Sequence, residues 1–294
     1  MSAVNTTSRP PAAAPKAHRP LKARAGAAVP HIVLVAYAVV AIGPIAMIVM
    51  NSFKSRQAIF DSPFALPTPD TFDISGFQTV FSRAQFELYF LNSFIVTVST
   101  VFLVLLLGSM AAFALAEYRF TGLTFVALYM AVGIMIPIRL GTVGILDLMV
   151  RLGLVNSLAG LVLVYTAMGL PLAVFVLTAF FNQVPGELKD AARIDGSSEY
   201  RVYRMAVPLV KPGLAAIGVY TMLPIWNDLW FPLILTPGEN VRTVTLGTQL
   251  FLGQFVTDWN AVLAVLTLAA LPLIALFIIF SRQFIRGLTS GAFK

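Results

Sequence analysis

Cysteine is absent from this 294-residue chain, and charge is scarce: Asp, Glu, Lys and Arg make up 11% of it. Without thiols there is no disulfide, no thiolate metal centre and no cysteine nucleophile. The two histidines, His18 and His31, both stand near the N-terminus, so a histidine-based catalytic or metal site in the body of the chain is not expected. No Gly-x-x-x-x-Gly-Lys-Ser/Thr phosphate loop occurs, so the chain is not expected to hydrolyse ATP alone. A soluble domain is about one quarter charged. Here hydrophobic residues reach 58%, and the composition reads as that of a membrane protein. The net charge of +7 is spread over loops and not gathered on one face, which argues against a nucleic-acid partner.

Crossing a hydrocarbon core of about 30 Å takes about 20 apolar helical residues. Stretches lacking Asp, Glu, Lys and Arg, with Asp228 alone admitted, predict six spans at about 31–52, 88–116, 121–139, 157–182, 213–235 and 260–282. The expected fold is therefore all-α and polytopic. Residues 1–30, rich in Ala and Pro with five basic residues, read as a disordered basic tail. The apolar run after them is longer than a signal-peptide core and reads as a retained first span. Six spans put both termini on one side. That side then carries 14 of the Lys and Arg residues and the other 6, so the richer side is expected to be cytoplasmic. Pro44, Pro137, Pro171, Pro224, Pro232 and Pro272 fall inside spans. Such breaks suit either irregular packing or a bundle with a path through it.

Between the fourth and fifth spans lies "GELKDAARIDGSSEYRVYRMAVPLVKPG", residues 186–213, with nine of the 33 charged residues. Residues 187–194 suit a short helix with Leu188, Ala191 and Ala192 on one stripe. Gly196 stands where a left-handed cap is needed, and Ser197 or Ser198 can start a second helix carrying Val202, Met205 and Ala206, with Tyr203 beside them. Pro208 and Pro212 are expected to limit that helix. A short helix with small contact residues suits a partner's groove. An amphipathic loop on lipid headgroups is the other reading; paired alanines add little membrane affinity.

A second candidate site lies in the fifth span. Asp228 is the one acid within the six predicted spans, flanked by Trp226, Asn227 and Trp230. Intramembrane ionisable groups are functional candidates, and aromatic rings beside hydrogen-bonding groups suit a sugar. Interfacial anchoring of the tryptophans and a bond from Asp228 to a neighbouring helix are the structural alternatives. No Ser/His pair, paired carboxylates or metal-ligand set occurs within the spans, so an intramembrane enzyme is disfavoured. An ion-driven secondary transporter is the competing class, but it usually shows internal repeats and more intramembrane charge.

"DAARIDG" followed by "VPLVKPG" resembles the E-A-A…G…L-P loop of ATP-binding-cassette (ABC) importer permeases. "WNDLWFPL" and the C-terminal "RGLTSGAFK" resemble the carbohydrate branch, on the side of the maltose-type second permease. The resemblance covers about residues 31–294, with Asp190 in place of the usual Glu and Val207 where Leu usually precedes Pro208. It implies a type I ABC importer fold in a bacterial cytoplasmic membrane, importing a mono- or oligosaccharide. It implies a cytoplasmic coupling loop, residues 184–212, in which Asp190, Ala191, Ala192 and Gly196 meet an ATPase subunit, with Arg193 and Asp195 as polar neighbours and Pro208 closing the motif. The implied partners are a second homologous permease, two ATPase subunits or domains, an extracytoplasmic sugar-binding protein and membrane lipid. ATP and Mg would be bound by the ATPase, with no cofactor or metal on this chain.

Overall fold

The computed structural model describes residues 21–83, 85–252 and 257–290. Thirteen α-helices follow in chain order: α1 Leu21–Asn51, α2 Arg56–Asp61, α3 Ser75–Arg83, α4 Phe86–Glu117, α5 Leu123–Met135, α6 Thr142–Arg151, α7 Leu158–Phe181, α8 Gly186–Ile194, α9 Glu199–Ala206, α10 Lys211–Asn227, α11 Trp230–Leu235, α12 Val244–Thr248 and α13 Trp259–Ser290. The only extended pairing among the described residues is an isolated bridge between Lys54 and Phe72. Residues up to Met47 form one unit and those from Ile48 the other.

In the first unit, α1 begins at Leu21, inside the stretch read as a tail. The rest of that tail, 1–20, lies outside the described residues.

Everything that positions the candidate sites belongs to the second unit. Among the described residues, four helical stretches are long and apolar enough to cross a membrane, and the number is five where a bent pair of helices is taken as one span. The predicted third span, 121–139, covers only the first helix of that pair and the start of the turn after it. α5 stops at Met135 because Pro137 has no N–H to continue the ladder and holds Ile136 extended, at φ −76° and ψ 121°. A 3₁₀ turn, 138–141, leads into α6 after a bend of 90°. The predicted fifth span is likewise two helices, broken at Asp228, between Pro224 in α10 and Pro232 in α11. The predicted sixth, 260–282, falls in α13, whose apolar first part, 259–275, is shorter than those stretches.

The central packing is α4 against α7, and small residues let the two approach. A Cβ on Gly108 would lie 2.9 Å from that of Ala173, and one on Gly169 would lie 2.8 Å from Val104. In lipid, where apolar burial between helices gains little, such close contact is a main source of association. Gly108→Leu should therefore wedge α4 from α7, at a cost of about 1–3 kcal/mol, read as a lower melting temperature of the detergent-purified protein.

Among the described residues, three buried clusters run along α4. At the Phe86 end of α4, Phe86 and Tyr89 pack with Val80, Val244, Ala261 and Val265. In the middle, Val96 packs with Met149, Leu161, Tyr165, Phe231 and Leu235. At the Glu117 end, Phe113, Leu177 and Phe181 pack with Val202, Ala206 and Val210. That last cluster seats the 184–212 segment on the bundle.

Candidate functional site

The 184–212 segment is two helices joined by a tight turn. α8 ends in a Schellman motif: the N–H of Ser197 donates to Ala192 O at 3.0 Å and that of Gly196 to Arg193 O at 2.9 Å. The motif requires a left-handed residue, and Gly196 supplies φ +75°. Ser198 stands at the N-cap of α9 but its hydroxyl makes no capping bond. Pro208 and Pro212 do not stop the helix as the sequence suggests. Each lies in the first turn of the piece it enters, where no N–H is needed, so a 3₁₀ turn at Val207–Val210 carries α9 directly into α10.

The structure buries the predicted stripe of α9 and divides that of α8. On α9, Val202 and Ala206 are buried in the chain's own core. They are therefore not part of a partner-facing surface, and Met205 is left partly exposed. On α8, Ala192 also packs against that core, while Leu188, Ala191 and Ile194 stay exposed, Ile194 by 86%. Asp190, Asp195, Gly196 and Pro208 are exposed as well.

Arg193 points inward to a cluster that the sequence reading missed. Its guanidinium donates to Glu199 at 2.9 Å, Glu117 at 2.6 Å and Asp190 at 3.0 Å. Lys189 also pairs with Glu117, and the Tyr118 hydroxyl donates to Glu199 at 2.5 Å. Bonds to Glu199 first, then to Glu117, hold the Arg193 guanidinium protonated above its ordinary range. Bonding to Arg193, then to Tyr118, pulls the Glu199 carboxyl down to about 2. Burial, then the bond to Glu199, pushes the Tyr118 phenol up to about 12. The one available signal in the sequence was Glu117 itself, an acid that ends a 29-residue charge-free run.

In the fifth-span group, Trp226, Asp228 and Trp230 are bonded to neighbouring elements of the bundle. The Trp226 ring is buried, donates its indole N–H to Ala269 O at 3.0 Å, and packs edge-on against Phe90. Asp228 occupies the gap between α10 and α11. It accepts from the Tyr165 hydroxyl at 2.7 Å and from the backbone N–H groups of Phe231 at 3.1 Å and Trp230 at 3.3 Å. Those amides start α11 and have no intrahelical acceptor. Trp230 is half-exposed; its indole N–H donates to Thr142 at 3.0 Å and Arg139 lies 5.7 Å over its ring. Asn227 is exposed and bonds only back to Leu223 O.

A cavity of about 640 Å³ opens between α5, α7 and α10, lined by Tyr129, Met130, Pro171, Tyr220 and Thr221 among others. None of Trp226, Asn227, Asp228 or Trp230 lines it. Tyr165, the hydroxyl partner of Asp228, is among the residues that line it. The size suits a small molecule.

Residues 74–290 match the family model described as "Binding-protein-dependent transport system inner membrane component". The diacetylchitobiose uptake system permease protein NgcG of Streptomyces coelicolor is 32% identical over 91% of this chain and 89% of its own length. The arabinooligosaccharides transport system permease protein AraQ of Halalkalibacterium halodurans is 32% identical over 87% and 92%. Among solved structures, a chain of a bacterial ABC transporter that imports the acidic polysaccharide alginate superposes with a TM-score of 0.78. It is 21% identical and matches 92% of this chain and all of its own.

Proposed function

The chain belongs to the binding-protein-dependent transport system inner membrane components, and from that membership we propose its role in full. It is a multi-pass membrane permease subunit of an ATP-driven sugar importer. The substrate class is an oligosaccharide, in line with relatives named for diacetylchitobiose and arabinooligosaccharides. A separate ATPase subunit, carrying ATP and Mg, drives the cycle, and an extracytoplasmic binding protein delivers the sugar. A second, related permease completes the pathway. Both termini and the 184–212 loop lie in the cytoplasm, with α13 as the sixth span.

The observation that carries this reading is the exposed face of α8. Leu188, Ala191 and Ile194 offer an apolar surface on a helix held firmly from behind. We assign Asp190, Ala191, Asp195 and Gly196, together with Leu188 and Ile194, to contact with the ATPase. Ala192 and Arg193, which face the chain's own bundle, instead hold the loop in place. ATP-driven closure of the motor would then bias the permease between outward-open and inward-open states.

The test is uptake into proteoliposomes holding the complete complex, with labelled diacetylchitobiose and labelled arabinooligosaccharides as probes. Uptake is expected to require ATP and the binding protein, and to survive ionophores that collapse ion gradients. Uptake that proceeds without ATP and stops with the ionophores would establish the ion-driven alternative instead.

A further inference from the structure

The loop is bonded to a helix far from it in sequence. Its chain neighbours are α7 and α10, yet its charged side closes on the last residues of α4. Glu117, whose side chain is 10% exposed, pairs with Lys189 and Arg193 of α8. The adjoining Tyr118 bonds Glu199 of α9. Further back along α4, Ser109 and Tyr203 share a hydrogen bond of 2.8 Å, and the Phe113 ring meets that of Tyr203 edge-on. Both short helices are thus fastened to one rod.

The energetics make this contact stiff. A carboxylate at a helix C-terminus faces the negative end of the dipole. Glu117 is also largely withdrawn from water, so its charge is tolerable only while its two cations remain. Sliding α8 away from α4 would strand that charge. Moving the two together strands nothing.

We propose that Glu117 is the positioning residue of a charge-paired joint that passes movement of the loop to α4, with the Tyr118–Glu199 bond as a second tie. The joint rests on the reading of the loop as the motor contact. Its consequence is that the motor pulls the central helix of the bundle directly, and through the Gly108 and Gly169 contacts α7 with it. Without the joint the pull would pass to α4 only through the apolar packing of the loop against Phe113 and the Tyr203–Ser109 bond.

The absence of cysteine permits a direct test, since spin labels can be placed at introduced cysteines alone. One label replaces Phe102, exposed on α4, and the other Arg201, exposed on α9. The complete complex, with its ATPase and cysteine-free partner subunits, is measured without nucleotide and with ATP plus vanadate. In otherwise wild-type protein the distance distribution is expected to stay the same in both states, because loop and α4 move as one body. In Glu117→Gln it is expected to shift or broaden with nucleotide while the ATPase remains bound. Tyr118→Phe is expected to give a smaller shift. The joint is overturned if the wild-type distance changes with nucleotide, or if a Glu117→Gln complex that keeps its ATPase behaves as wild type. It is also overturned if Glu117→Gln loses the ATPase, which would place Glu117 in docking. Failure of the wild type itself to retain the ATPase would overturn the motor-contact reading instead.

Discussion

Gly196→Pro is expected to release the ATPase subunit from the purified complex, or to leave it bound with sugar uptake uncoupled from hydrolysis. Proline fixes φ near −65° and has no N–H. The native turn needs φ +75° and a bond from that N–H to Arg193 O. Both requirements fail together, at a local cost of about 3 kcal/mol or more. If docking needs the formed turn, that cost weakens it roughly a hundredfold. Gly196→Ala separates the causes. No atom lies within 4 Å of a Cβ placed there, so alanine adds only the left-handed strain of about 1–2 kcal/mol and should give partial loss. Co-purification at matched membrane levels measures both. A proline variant that binds the ATPase and transports normally would make the segment a surface helix with no part in coupling.

The second large effect is expected at the broken fifth span. Asp228→Ala removes the acceptor for the Tyr165 hydroxyl and for the first amides of α11. Tyr165 is 3% exposed, so its hydroxyl has no ready replacement in water. Hydrogen bonds to a charged group contribute about 1.5–3 kcal/mol each, and the loss should exceed about 3 kcal/mol. The expected result is a marked drop in melting temperature in detergent and poor recovery of the complex. Tyr165→Phe combined with Asp228→Ala should cost less than the two single changes added, because both remove one interaction. Asn227→Ala should leave stability unchanged. A variant at Asp228 that melts as wild type yet loses sugar uptake would instead place Asp228 on the substrate path.

The two candidate sites differ in how far their sequences announced them. In the loop, the spacing of Leu188 and Ala191 and the position of Gly196 stated the helix, its end and the turn, because a Schellman motif is a contract among neighbouring residues. In the fifth span, Asp228 stood out as an acid among apolar residues, but the reason for it was not visible. It caps a helix that starts again after a proline-flanked gap, and its side-chain partner, Tyr165, lies 63 residues away. The same distance hid the aromatic cavity: Tyr129 and Tyr220 are unremarkable in the sequence and line one space only once α5, α7 and α10 come together.

By itself the sequence determined that the chain is helical and membrane-spanning, where prolines interrupt the spans, and that a charged helix pair with a glycine turn separates α7 from α10. Those properties depend on hydropathy, backbone chemistry and residues within one or two turns of each other. Only the tertiary structure decided which side of each loop helix is free. It turned Ala192, Arg193 and Val202 inward, left Ala191 and Ile194 outward, and brought Glu117 to Lys189 across 72 residues. The physical reason is that a helix's own pattern states which side chains share a face, whereas the partner of that face is set by how α4 and α7 cross, and the crossing depends on the close approach allowed at Gly108 and Gly169.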